Sequence, residues 1–198
     1  MSKLTLSGQF GFASIARTDE EQQFYADFYA SVEAETLRGK VMNITSYIDE
    51  SLINLLRGFL PNTAHAHKLL VEMDSCLSSI MNRANMAYAL SLLRQREFVA
   101  IQCLAKIRNE FAHNWKQKDF EIDRIAKLVR KFPEHYFKDV DGTNEAKYMF
   151  LSAQIIQDLM HREEYAANLR KNLPTEYKDI FDYSLSERQT ILRMKDSS

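Results

Sequence analysis

The most constraining feature of the sequence is a run of apolar residues spaced three or four apart between residues 37 and 60. The residues of this run are Val41, Ile44, Ile48, Leu52, Leu55, Leu56 and Phe59. Such spacing places one apolar stripe along a single face of an α-helix, and Pro61 marks the end of that helix. The pattern predicts a helix of about six turns over 37–60, which needs partner helices to cover its stripe.

The same spacing recurs along most of the remaining chain. Thr18 and Glu21 have the spacing of a capping box, so they predict the start of a first helix. Ser75 and Asp119 are candidate caps of later helices, and residues 61–75 are predicted to form a loop with at most a helical turn. The predicted helices cover about 18–37, 37–60, Ser75 to about Leu92, about Phe98 into the stretch 106–115, Asp119 to about Val129, 144–172 and 175–195.

Turn-forming residues are scarce in this chain. Its 198 residues include 5 glycines and 3 prolines, whereas a sheet of many strands needs more such residues at its turns. The sequence also lacks the apolar–polar alternation that is typical of strands. We therefore predict an all-α fold, a single-domain helical bundle over 18–198, preceded by an irregular N-terminal arm over 1–17.

Composition narrows the class of protein further. A net charge of -1 argues against a surface that is uniformly positive, although it allows a local basic patch. No apolar run approaches the ~20 residues that span a bilayer, and the first residues lack the basic and apolar segments of a signal peptide. Cys76 and Cys103 lack metal-type spacing, which indicates free thiols in a reducing compartment. These features predict a cytoplasmic protein.

The stretch KIRNEFAHNW, residues 106–115, places polar side chains on an otherwise apolar helix. Asn109 and His113 share a helix face if the helix reaches His113, whereas Arg108 differs in direction from His113 by about 140°. A guanidinium matches phosphate oxygens, and an imidazole transfers protons near neutral pH. The pattern suits metal-independent RNA cleavage, in which a 2′-hydroxyl attacks the adjacent phosphate. Asn109 could hold the helix end or a phosphate oxygen.

An ordinary helix end explains the same pattern. A histidine near a helix C-terminus is favourable because its charged form interacts with the exposed carbonyl groups. An arginine followed five residues later by a histidine also occurs by chance in many helical proteins. Spacing alone therefore leaves both a catalytic pair and a helix terminus open.

The motif itself resembles a family signature. Its form R-N-x-x-x-H is similar to the signature of the HEPN superfamily and is carried here by Arg108, Asn109, Glu110, Phe111, Ala112 and His113. HEPN proteins are small and helical, and many are metal-independent endoribonucleases of bacterial toxin–antitoxin and antiphage systems. The resemblance implies that Arg108 and His113 are the catalytic pair, supported by Asn109. It also implies a homodimer that brings two motifs together across a cleft.

A second resemblance covers more of the chain, about residues 35–115. The sequence there is similar to helical proteins of the mannitol operon repressor-like type, whose core would span about 35–132. The pieces that carry the resemblance are Arg38-Gly39, Asp49-Glu50, Ala87-Tyr88-Ala89-Leu90 and the motif at 108–113. It implies a non-catalytic transcriptional regulator that acts through protein partners. No helix–turn–helix with a basic recognition helix is evident in the sequence, however, and the Arg–His pair is retained.

Charged residues near the motif are candidates for supporting roles. Asp49 or Glu50 could fix Arg108 through a carboxylate, and Glu110 lies within the motif itself; alternatively these carboxylates are exposed and of little energetic weight. A local excess of positive charge over 83–118 predicts a face that binds RNA, with a solvated helix surface as the alternative. The candidate RNA-binding residues are Arg94, Arg96, Lys106, Trp115 and Lys116.

Metal and cofactor motifs are weak in this sequence. His65 and His67 are two residues apart without further ligands nearby, and no glycine-rich phosphate loop occurs. We therefore predict no metal and no cofactor. The expected partners are RNA, a second copy of the chain, and an antitoxin or regulatory protein, with no membrane.

Overall fold

The computed structural model describes residues 4–6, 16–113, 119–138, 140–173, 180–187 and 189. In these residues the chain forms eight α-helices, two short 3₁₀ turns and a pair of two-residue strands. The helices are α1 (Asp19–Glu33), α2 (Leu37–Phe59), α3 (Ala64–Val71), α4 (Ile80–Ala89), α5 (Gln95–His113), α6 (Asp123–Val129), α7 (Asn144–Leu159) and α8 (Arg162–Lys171). The 3₁₀ turns are Glu134–Tyr136 and Ile180–Asp182, and the strands are β1 (Leu4–Thr5) and β2 (Val140–Asp141). The all-α prediction is confirmed.

Helix α2 is the centre of the core. It contacts α1, α3, α4, α5, α7 and α8, so its apolar stripe is covered by helices from both halves of the chain. The predicted stripe from Val41 to Leu56 is buried, which confirms the helix predicted over 37–60. A row of three buried rings, Phe111, Phe120 and Tyr148, joins α5 to α7 with centroid spacings of 5.1 and 5.0 Å.

Hydroxyl caps explain where several helices begin. Each of five side chains accepts a hydrogen bond from the backbone N–H three residues later, which satisfies a donor that the helix leaves free. These caps are Thr18, Thr36, Thr63, Ser79 and Thr143. The predicted cap at Thr18 is confirmed.

Two other predicted caps are wrong. Ser79 begins α4, and the Ser75 hydroxyl instead donates to the Leu69 carbonyl at 2.6 Å. Helix α6 begins at Asp123, while the Asp119 carboxylate accepts from the Glu121 amide at 2.9 Å, as in an isolated turn. The stretch predicted as a loop over 61–75 also contains the two turns of α3, whose buried side chains, Ala66 and Leu70, are too few to show a period.

The long helix predicted over 144–172 is two helices. His161 has a left-handed backbone with φ of 56°, which ends α7 and redirects the chain into α8. Helix α8 packs so closely on α2 that a Cβ atom at Gly58 would lie 2.6 Å from the Glu163 carbonyl oxygen. Glycine at position 58 therefore permits this close approach of the two helices.

Within the N-terminal arm predicted over 1–17, Leu4–Thr5 form strand β1. β1 pairs in parallel with β2, and the Leu6 amide extends the pairing by donating to the Asp141 carbonyl at 2.8 Å. Most of the helix predicted over 175–195 lies outside the described residues. None of the helices in the described part of the chain is long and apolar enough to cross a membrane.

Candidate functional site

The motif occupies the last turns of α5. Ile107 and Phe111 are fully buried, so they fix the rotation of the helix about its axis. Arg108 is half-buried, and Asn109 and His113 are exposed. His113 is the last residue of α5. The helix therefore reaches His113, which is the condition for Asn109 and His113 to share a face.

Arg108 and Asn109 face a cleft of about 460 Å³ between α2, α4 and α5. The Arg108 Nη1 atom donates to the Asn109 Oδ1 atom at 3.2 Å, which links the two side chains. The cleft is rich in hydroxyl groups, and the start of α4 forms one wall, where a helix carries partial positive charge. Its lining comprises Thr45, Ser46, Asp49, Ser78, Ser79, Ile80, Met81, Ala105, Arg108 and Asn109.

The acidic residue in this lining is neutralised by a neighbour. Both carboxylate oxygens of Asp49 lie 2.7 Å from Nη1 of Arg83, whose side chain is 7% exposed. Arg83 also donates to the Leu70 carbonyl at 3.0 Å, so it ties α2, α3 and α4 together. Because Arg83 compensates the Asp49 charge, the described lining and Arg83 together carry a net positive charge from Arg108, which favours an anion such as phosphate.

The floor of the cleft is held by a buried hydroxyl pair. Thr45 is 3% exposed, and its hydroxyl donates to the Val41 carbonyl at 2.8 Å and lies 3.3 Å from the Tyr148 hydroxyl. Burial raises the pKa of Tyr148 from 10.0 to about 12, because an ionised phenol would lack solvation there. Tyr148 therefore remains a neutral support for the cleft at physiological pH.

The end of α5 is capped from a distance by Arg38. Its Nη2 atom donates to the carbonyl oxygens of Phe111 and Ala112, the latter at 2.8 Å. These carbonyls belong to the last turn of the helix, which has no intrahelical donors for them. Arg38 therefore holds the backbone on which His113 is mounted, a role that sequence patterns alone did not indicate.

Arg108 and His113 leave α5 in different directions. Five residues correspond to a rise of about 7.5 Å and a turn of about 140°. Among the described residues, His113 is not part of the cleft lining. One chain thus presents a guanidinium inside a cleft and an imidazole exposed one turn beyond it.

The remaining predicted site residues are spread along α5 and beyond. Arg94 and Lys106 are exposed, and Arg96 is half-buried near the opposite end of the helix from His113. Glu110 lies 3.9 Å from Arg124, and Glu50 is exposed. Asp49 lies in the cleft as a partner of Arg83, which sequence reasoning missed because 34 residues separate the two. Trp115 and Lys116 lie outside the described residues.

Fold and site together define an all-α, single-domain protein with a positively charged, hydroxyl-lined cleft at the end of a long helix. Comparison with known proteins finds no family model, no curated protein and no solved structure that matches the chain.

Proposed function

We propose that this protein is a metal-independent endoribonuclease of the HEPN type. The observation that carries the proposal is the placement of Arg108 in a 460 Å³ cleft whose acidic residue, Asp49, is already paired with Arg83. A phosphodiester brings negative charge and oxygen acceptors, which match the guanidinium, the serine hydroxyls and the start of α4. The resemblance of residues 108–113 to the HEPN signature supports RNA cleavage as the reaction.

The side chains divide the reaction between them. Arg108 binds a non-bridging phosphate oxygen and stabilises the charge that develops as the 2′-oxygen attacks phosphorus. His113 removes the 2′-hydroxyl proton, and Asn109 orients Arg108 through its side-chain oxygen. The bond from phosphorus to the 5′-oxygen breaks, and that oxygen takes a proton. The products are a 2′,3′-cyclic phosphate and a 5′-hydroxyl end.

The proposed assembly is a homodimer. His113 lies beyond the cleft of its own chain and is exposed, so a second α5 end packed against it can face both motifs toward one RNA strand. The two imidazoles of such a pair supply one base and one acid. Partners beyond RNA, such as an antitoxin, and a defence or toxin–antitoxin setting follow from the resemblance, whereas a cytoplasmic location follows from the composition.

One observation favours a second candidate function. Because the imidazole of His113 is not part of the described lining of the Arg108 cleft, the motif can also serve as a helix terminus held by Arg38. In that case the protein acts as a non-catalytic transcriptional regulator of the mannitol operon repressor-like type, through protein partners.

Separate substitutions of the two motif residues test the proposed function. Purified Arg108→Ala and His113→Ala proteins are incubated with mixed RNA in EDTA and compared with the parent protein. We expect each to lose at least about a hundredfold in cleavage rate, which is the usual contribution of a proton-transfer or charge-stabilising group. The matched controls are Arg57→Ala and His65→Ala, which remove exposed side chains of the same type elsewhere and should keep full activity. Absence of cleavage by the parent protein favours the regulator.

A further inference from the structure

A second cavity lies between the end of α6, the 3₁₀ turn Glu134–Tyr136, β2 and the first turn of α7. Its volume is about 710 Å³, within the roughly 300–1,000 Å³ of small-molecule sites. It shares no lining residue with the Arg108 cleft among the residues described for the two. The lining comprises Val129, Arg130, Phe132, Glu134, His135, Phe137, Lys138, Val140, Asp141 and Lys147.

Positive charge predominates around this cavity. The described lining has three cations, Arg130, Lys138 and Lys147, against two carboxylates, Glu134 and Asp141. Arg130 and Lys138 are exposed at the cavity. The Asp141 carboxylate lies 2.8 Å from the Lys147 ammonium, so these two lining charges offset each other. Arg130 and Lys138 then outnumber the remaining carboxylate, Glu134, so the described lining keeps a net positive charge and favours a ligand with an anionic group.

An aromatic pair supplies an apolar wall. Phe132 is 7% exposed and stacks on Phe137, with ring centroids 6.0 Å apart and an interplanar angle of 16°. Phe137 is only partly buried, so a flat ring from a ligand can rest against it. Val129 and Val140 extend the apolar part of the lining. A ligand that carries both a planar ring and a phosphate would use all of these groups.

We propose that this cavity binds a nucleotide, with the phosphate held by Arg130 and Lys138 and the base placed against Phe137. The same chemistry is offered by a free nucleoside monophosphate and by the end of an RNA strand. The proposal does not depend on RNA cleavage at the Arg108 cleft, because the two sites share no side chain.

Titration calorimetry with UMP and AMP at low salt tests the site. We expect the double variant Arg130→Gln/Lys138→Gln to weaken binding about tenfold or more, since two charge-assisted contacts are lost. The control Arg124→Gln/Lys127→Gln removes the same charge from exposed positions of α6 outside the cavity and should change the Kd less than about twofold. Arg108→Ala removes any phosphate binding at the other cleft, so the binding that depends on Arg130 and Lys138 should remain in it. Uridine, which lacks the phosphate, should bind much more weakly.

Competition then distinguishes the two sources of ligand. A 5′-phosphorylated trinucleotide that displaces UMP extends the site to RNA ends, whereas UMP binding that the trinucleotide leaves unchanged restricts it to free nucleotides. The proposal is overturned if neither UMP nor AMP binds at millimolar concentration, or if both double variants bind as the parent does. Loss of binding in Arg108→Ala would also overturn it, by placing the nucleotide in the other cleft.

Discussion

Single side chains far apart in sequence determine the geometry of the motif. Arg38 donates to carbonyls 73 and 74 residues later in the chain, and Arg83 neutralises Asp49 in the cleft wall. Both arginines act by satisfying groups that would otherwise be costly to bury. The chemistry assigned to Arg108 and His113 therefore depends on residues that lie outside the motif.

Removal of Arg38 tests its role as a cap. Arg38→Ala leaves the Phe111 and Ala112 carbonyls without their donor, so we expect the free energy of unfolding to fall by about 1–3 kcal/mol. Urea denaturation followed by circular dichroism measures this change. Arg57→Ala, on the same helix, removes an exposed arginine that bonds the Asn54 side chain and should cost under about 0.5 kcal/mol. Equal losses in the two variants would contradict a capping role.

Tyr148 should make the folded protein less stable as the pH becomes alkaline. Its pKa is raised by burial to about 12 in the folded protein, whereas the unfolded chain ionises near the ordinary value of 10.0. Its contribution is therefore fully present below pH 10 and is lost as the pH rises toward 12, by on the order of 2–3 kcal/mol. Urea unfolding of the parent and Tyr148→Phe between pH 8 and 11.5 should show the parent losing more stability than the variant. A difference that stays constant with pH would contradict this expectation.

At the scale of elements, an ion pair joins α5 to α8. Arg162 donates to both carboxylate oxygens of Glu97, at 2.6 and 2.9 Å, and Glu97 is 1% exposed. The Arg94 amide also donates to Glu97, at 2.7 Å. These contacts fix α8 against the start of the helix that carries the motif.

Breaking the pair on one side should be costly. Glu97→Ala leaves the Arg162 guanidinium largely buried without its partner, so we expect a loss of about 3–5 kcal/mol in the free energy of unfolding. The double variant Glu97→Leu/Arg162→Met removes both charges and should recover most of that loss. Glu164→Ala breaks the exposed pair with Arg17 and serves as a control with a much smaller effect. A double variant as unstable as Glu97→Ala would contradict this reading.

The elements also show what periodicity can and cannot predict. The helix over 37–60 is predictable because its stripe is long and each apolar residue faces the core. The break between α7 and α8 is not predictable from the sequence. It occurs at His161, and histidine adopts the left-handed conformation too rarely for its presence to mark a turn. The pairs Arg83–Asp49 and Arg162–Glu97 depend on how helices meet, which spacing along one helix does not encode.

At the scale of the whole molecule, the helices that support the motif extend beyond the core of about 35–132 to which the family resemblance applies. Helices α7 and α8 lie beyond residue 132, yet both pack on α2, and Tyr148 of α7 supports Thr45 in the floor of the cleft. The residue types of the site were predictable from residues 108–113, because an arginine, an asparagine and a histidine have characteristic chemistry. The cleft could not be predicted from the sequence, since its walls come from three helices that meet only in the folded chain.

The most direct test of the proposed function is the cleavage of a defined RNA in EDTA, with the product ends identified by mass spectrometry. Attack by the 2′-hydroxyl predicts a 2′,3′-cyclic phosphate and a 5′-hydroxyl, and it predicts that a single 2′-deoxy substitution at the scissile nucleotide abolishes cleavage there. Cleavage of the deoxy-substituted strand, 5′-phosphate products, or activity that appears only when Mg²⁺ is added would contradict the mechanism assigned to Arg108 and His113.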